Sequence, residues 1–280
     1  ILIVLSVLIA VYSVTRPGAM EGVKYFLVPN VKNFSWMTVV AAMGQMFYSL
    51  SIAMGILITF GSYMKKETSL EDSTRNVEVF DTAIAIMAGL MIIPAVFAFS
   101  GGDPDTLQAG PALMFITIPK VFENMGFGTV VGILFFLLVL FAAVTSSIAL
   151  TESAVSTFED ELGWSRRRAT VLVGVIMIAL GSLSSLGYGP LVGIKIIGMQ
   201  FLDFFDFLTN SVMMPIAAML TSLFVSRIVG MKRMEDEIMH GESTFRRKKI
   251  FIVMIKYLCP VFALIILISS VANAFGWIAM

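Results

Sequence analysis

Two serines around one leucine, Ser49-Leu50-Ser51, stand in the middle of Trp36–Met64, a stretch without a charged residue. Gly44, Gln45 and Tyr48 precede them and Gly55 follows. The stretch is long enough to cross a bilayer, which takes about 20 apolar residues in helical form. Hydroxyls, an amide and glycines at that depth weaken a helix and free its backbone carbonyls. Such a break is tolerated only where protein buries it or a watery cavity receives it. The stretch is therefore a candidate binding element, and it points to a transporter.

A second group lies in Ala142-Ala143-Val144-Thr145-Ser146-Ser147. On a helix the Ala142 carbonyl and the Thr145 and Ser146 hydroxyls fall at i, i+3 and i+4, on one face. Three oxygens so placed suit a hard cation. The competing reading is that these hydroxyls bond the preceding turn or a neighbouring helix. Asp81 opens the apolar run VFDTAIAIMAGLMIIP. A carboxylate just inside a bilayer is costly unless paired and is functional by default; a helix N-cap is the alternative. Asp203 and Asp206 share one face of FLDFFDFLTN, as part of a gate or proton relay or as interface residues. FEDELGWSR, residues 158–166, reads as a solvated loop or as a latch to a basic segment elsewhere.

The elements that must position these groups are all helices. Apolar residues make up 58% of 280 and charged residues 14%, with mean hydropathy +0.92, a balance that excludes a soluble domain. Lys plus Arg and Asp plus Glu cancel at 19 each, so net charge offers nothing to nucleic acid. The single Cys259 excludes an internal disulfide, and the single His240 lies in a charged loop. A membrane-embedded enzyme would need a nucleophile with a base, or acids on facing helices, and no such set is visible.

Uncharged windows give the end of a helix at 1–15, a broken helix at 36–64, and helices at 79–100, 127–157, 169–186, 194–226 and 250–275. Residues 101–126, which begin Gly-Gly-Asp-Pro, read as an external loop that dips back onto the helices. Thirteen basic residues flank one side, among them Lys65, Arg166–Arg168 and Arg246–Lys249, against five on the other, so the first side is expected to be cytoplasmic. The abrupt apolar start, with no initiator Met and no basic leader, reads as the continuation of a longer protein.

GQMFYSLSIAMGILITFGSYMKK, DTAIAIMAGLMIIPAVFAF, GPALMFITIPKVF, FAAVTSSIAL, FEDELGWSRRRA and FLDFFDF occur in this order. Together they resemble the neurotransmitter:sodium symporters, in their bacterial branch, over nearly the whole chain. The resemblance implies an all-α polytopic transmembrane bundle running from the end of the family's fifth helix to its eleventh. That is the second half of a five-helix inverted-repeat transporter fold, with the missing N-terminal half of the protein as its partner. The implied function is sodium-coupled symport of an amino acid by alternating access in the bacterial cytoplasmic membrane. A non-transporting scaffold or an inactive truncated homologue is the alternative.

Residue by residue, the resemblance assigns Tyr48, Ser49, Ser51, Met54, Ser146 and Leu150 to the substrate pocket. It assigns Ser49, Asp81, Ala142, Thr145 and Ser146 to sodium, Gln45 and Asp206 to an outer gate, and Asp160 and Tyr63 to an inner one. Met54 and Leu150 favour a hydrophobic or aromatic amino acid. Asp81 stands where the family often has Asn, and Ala85 where chloride-dependent members carry Ser. A fixed negative charge there implies transport without chloride, with proton countertransport through Asp81 as an extension.

Overall fold

The computed structural model describes residues 2–101, 110–123, 126–241 and 244–277, which are almost entirely helical. Among the described residues, five helices are long and apolar enough to cross a membrane: Leu70–Ser100, Gly128–Leu162, Arg166–Leu186, Phe201–Val229 and Lys248–Ala274. The expected loop at 101–126 lies partly outside the described residues; its later part forms a π turn, Leu113–Thr117, and a short helix, α6 (Ile118–Glu123).

Several helices extend beyond their apolar windows, for physical reasons. The helix α5 (Leu70–Ser100) begins nine residues before the expected 79. Ser69 Oγ accepts the Asp72 N–H at 3.0 Å, and Glu71 and Asp72 lie in the first turn, so the end is capped and its dipole complemented. These charged turns continue the helix past the apolar segment. The N-cap reading of Asp81 is thereby removed, because Asp81 stands eleven residues inside the helix. The helix expected from 194 starts instead at Phe201. Residues 187–200 turn repeatedly, carrying Gly187, Gly189, Pro190 and Gly193 and a left-handed Ile197 (φ 52°).

The chain divides into two compact units. The first comprises residues 1–34 and 78–147. Here α1 (Leu2–Val14) turns by 116° into α2 (Ala19–Leu27) through Pro17-Gly18. Its core gathers Ile9, Val96, Ile118, Val121, Phe122 and Phe135. Pro94, inside α5, has no N–H for the preceding turn. Ser13 Oγ donates to the nearby Met91 carbonyl at 2.7 Å, a buried bond tying α1 to that turn. Gly22 brings α2 against the same place: a Cβ there would lie 2.8 Å from the Pro94 Cα.

The second unit comprises residues 35–77 and 148–280. It holds α3 (Trp36–Ser49), α4 (Ile56–Ser62), the later part of α7 (Gly128–Leu162), and α8 (Arg166–Leu186). It also holds α9 (Phe201–Asp206), α10 (Met214–Phe224), α11 (Met231–Ile238), α12 (Lys248–Val253) and α13 (Cys259–Ala274). A π turn, Phe207–Met213, joins α9 to α10. Phe47, Ala218, Ala263 and Ile266 form one core cluster, where α3, α10 and α13 meet; Val155, Ala169 and Val173 form another between α7 and α8.

Candidate functional site

The uncharged stretch with the paired serines breaks where its sequence is weakest. A capping box starts α3: Ser35 Oγ accepts the Thr38 N–H at 3.2 Å, and Thr38 Oγ1 accepts the Ser35 N–H at 3.3 Å. The helix ends in a Schellman motif. The Ile52 N–H reaches back to the Phe47 carbonyl and the Ser51 N–H to that of Tyr48, each at 3.0 Å. Ile52 packs against the core cluster that contains Phe47. The left-handed position usually given to glycine is held by Ser51, at φ 54°, and Ala53 follows at φ 63°. A non-glycine residue there costs about 1–2 kcal/mol. No backbone N–H among the described residues reaches the carbonyls of Leu50, Ser51, Ile52 or Ala53. Four carbonyls thus follow the negative end of α3, an arrangement that favours cations.

Gly55 restarts the helix at φ 80°. A Cβ on it would lie 2.6 Å from the Ser153 Oγ of α7. Ser153 Oγ lies 3.5 Å from the Met54 carbonyl, the last before the restart, and 3.5 Å from Thr59 Oγ1. Thr59 Oγ1 is also 3.3 Å from Ser156 Oγ. Buried Thr59 and Ser153 thus form a hydroxyl clasp on the break that the sequence reading missed. Its signal is the Ser153-x-x-Ser156 spacing on one face of α7.

The residues assigned to the outer gate come together. Gln45, Tyr48 and Asp206 line one cavity of about 310 Å³ with Gly44, Phe47 and Asn210. Asn210 Nδ2 donates to Asp206 Oδ1 at 2.5 Å, within the widened π turn. Asn210 was not foreseen, because i, i+4 polar pairs are common and only the fold turns this one toward Tyr48. Asp203 instead accepts from Tyr188 Oη at 3.4 Å. Burial first, then the Asp203 charge, raises the pKa of this phenol.

The two residues assigned to the inner gate have different surroundings. Tyr63 Oη donates to Glu152 Oε1 at 2.7 Å. Glu152 also forms an ion pair with Arg166, whose Nη1 lies 3.2 Å from Glu159 Oε2. Asp160 is exposed on the last turns of α7, while Phe158 stacks on Trp164 at 5.6 Å. Glu152, a carboxylate two turns before the acidic end of α7, was the overlooked signal.

In the first unit, Ala142, Thr145 and Ser146 lie on an exposed face of α7. Thr145 Oγ1 donates to the Ala142 carbonyl at 2.9 Å and to that of Phe141 at 3.1 Å. This is the local back-bonding anticipated for a helix hydroxyl. It also keeps two of the three assigned oxygens side by side. Asp81 is partly buried in α5. In the second unit Ser51 and Met54 lie in the break and Leu150 is exposed on α7. Among the described residues, no group of three or more His, Cys, Asp or Glu could hold a metal ion.

The sequence profile of the sodium:neurotransmitter symporter family matches residues 1–276. The chain is 33% identical over 243 residues to an uncharacterized sodium-dependent transporter of Bacillus subtilis, YhdH, covering 87% of this chain and 53% of that protein. It is 32% identical over 259 residues to an uncharacterized sodium-dependent transporter of Haemophilus influenzae, covering 92% and 55% respectively. The fold matches the crystal structure of MhsT in complex with L-phenylalanine, with a TM-score of 0.81 and 35% identity, over 96% of this chain and 60% of that one. The chain spans about half the length of the curated relatives it matches. The family consists of secondary transporters, integral membrane proteins rather than enzymes, and the chain belongs to it: the sodium:neurotransmitter symporter family.

Proposed function

We propose that the full-length protein is a sodium-coupled symporter of hydrophobic or aromatic amino acids, working by alternating access in the bacterial cytoplasmic membrane. The observation that carries this reading is the break at residues 50–55. Among the described residues it leaves carbonyls without backbone donors at the negative end of α3, beside a cavity lined by Tyr48 and Gln45. Carbonyls so presented attract a sodium ion or the ammonium of a zwitterion. MhsT, a structural neighbour, was crystallised with L-phenylalanine. Met54 and Leu150 supply soft apolar walls for such a side chain.

Ala142, Thr145 and Ser146 offer sodium three oxygens on one face of α7, and Ser49 offers another at the end of α3. Asp81, with Ala85 one turn on, brings a fixed charge toward sodium and removes the need for chloride. Sodium favours the outward-open population, substrate closes the Gln45–Asp206 side, and sodium release opens the inside; each step follows differential affinity for the two states. Arg166 and its basic neighbours place the end of α8 that follows Ser165 on the cytoplasmic side.

The test is binding of labelled phenylalanine, leucine, lysine and glutamate to the full-length protein, with sodium or potassium. The expected result is sodium-dependent binding of the first two, weakened in Ser146→Ala. Binding that ignores sodium, or that prefers lysine or glutamate, contradicts the proposal.

A further inference from the structure

A serine or threonine inside a helix ordinarily donates to a carbonyl of its own preceding turn. On α7, Thr145, Ser147 and Thr157 do so, at 2.9, 2.8 and 2.8 Å. Ser153, on the same helix, directs its hydroxyl elsewhere. The side chain is buried, and its Oγ faces the Met54 carbonyl, 99 residues away, at 3.5 Å. It accepts from Thr59 Oγ1 of α4, also buried and also at 3.5 Å. The two contacts run in one direction, from Thr59 to Ser153 to Met54. Met54 stands where the chain needs support. No backbone N–H among the described residues reaches its carbonyl, and Ser51 and Ala53 just before it hold left-handed conformations without being glycine. Such conformations persist only where the surrounding structure over-determines them. On the α7 side that structure is Ser153, so close to Gly55 that a Cβ there would lie 2.6 Å from its Oγ.

We propose that Ser153 is a positioning residue for the amino-acid substrate: its hydroxyl, oriented by Thr59, fixes the Met54 backbone and so holds the break in the shape that binds. The inference rests on the reading of the break as part of the substrate site. Ser153 acts through Met54 rather than by touching substrate. A site whose competent form is only partly populated binds with an affinity lowered by that fraction. Holding the break in its competent form therefore raises affinity without adding a contact to the ligand. Once substrate is bound it holds the break itself, so the effect falls on affinity and not on the rate at saturation. Ser156 supplies the internal comparison. Its Oγ lies 3.3 Å from Thr59 Oγ1 and donates to the Ser153 carbonyl at 3.1 Å, so it belongs to the same contact between α4 and α7 without reaching the Met54 carbonyl.

The experiment uses the full-length protein and reads two quantities at saturating sodium: the Kd for labelled phenylalanine on purified protein, and the maximal uptake rate in liposomes. Ser153→Ala is expected to raise Kd about two- to fivefold, the effect of losing one or two weak hydrogen bonds, with the maximal rate within about twofold of the parent. Thr59→Val, which keeps the shape and removes the donor to Ser153, raises Kd in the same direction by about twofold, and it gives a second reading should Ser153→Ala fold poorly. Ser156→Ala disturbs the same helix contact yet binds phenylalanine like the parent. An unchanged Kd in Ser153→Ala, an equal rise in Ser156→Ala, or a fall in maximal rate with Kd unchanged would each overturn the inference, the second because general loosening of α4 on α7 would then explain the effect. A parent that shows no sodium-dependent binding would overturn the symport reading and this inference with it, whereas normal binding in the parent with no change in Ser153→Ala overturns the inference alone.

Discussion

The Gly55→Ala substitution probes how the broken helix is held. Gly55 has φ +80°, and an alanine there meets the left-handed penalty of about 1–2 kcal/mol. Its Cβ would also lie 2.6 Å from the Ser153 Oγ, well inside ordinary contact. The hydroxyl can rotate away only by leaving the Met54 carbonyl and Thr59, both at 3.5 Å. At these long distances the loss is at the low end of a hydrogen bond's net worth, about 0.5 kcal/mol each. The total is about 2–3 kcal/mol, charged to the segment that carries the proposed sodium ligands. In the full-length protein the variant is expected to unfold earlier in detergent and to bind substrate at least about tenfold more weakly at a fixed sodium concentration. Ser153→Ala alone should cost less than about 1 kcal/mol, because Thr59 keeps Ser156 as a neighbour. Added to Gly55→Ala, it removes the steric share and leaves the backbone share, so the two changes are non-additive by about 1 kcal/mol. Strict additivity, or a Gly55→Ala protein as stable and as sodium-responsive as the parent, would refute the reasoning.

Further outcomes follow from the same geometry. Ser51→Gly relieves the left-handed strain, so thermal stability rises by about 0.5–1 kcal/mol while substrate affinity falls with the lost hydroxyl; a variant that gains affinity would oppose the pocket assignment. Glu152→Gln removes the charge shared by Tyr63 and Arg166. Since Arg166 is largely exposed, stability should change by less than about 1 kcal/mol, and an altered transport rate with an unchanged melting curve would mark a role in the cycle. Replacing chloride with gluconate should leave uptake intact, whereas Asp81→Asn should impair it or make it chloride-responsive; loss of uptake in the parent without chloride contradicts the Asp81 reading.

The broken span could be read from the sequence because its cause is local: serines and glycines stand where apolar residues would keep a helix intact. Its detail could not. Nothing in the residue types says that Ser51 and Ala53, rather than a glycine, take the left-handed positions. Helix ends were misjudged where a helix leaves the membrane. Apolarity marks the bilayer, whereas the Ser69 cap and its acidic first turn mark the helix, and residues 70–78 separate the two. Glu152 was overlooked because its partners, Tyr63 and Arg166, lie 89 and 14 residues away, and only packing unites them. Gln45, Tyr48 and Asp206 line one cavity, and Asn210 joins them through a π turn that no pattern announced.

The proposed function requires that the Ala142, Thr145 and Ser146 oxygens on α7 bind sodium. Equilibrium binding of radioactive sodium to the purified full-length protein, without amino acid, tests it most directly. Saturable binding is expected, falling sharply in Thr145→Val and Ser146→Ala, while Ser147→Ala, off the assigned set, binds like the parent. Unchanged sodium binding in Thr145→Val and Ser146→Ala would contradict it.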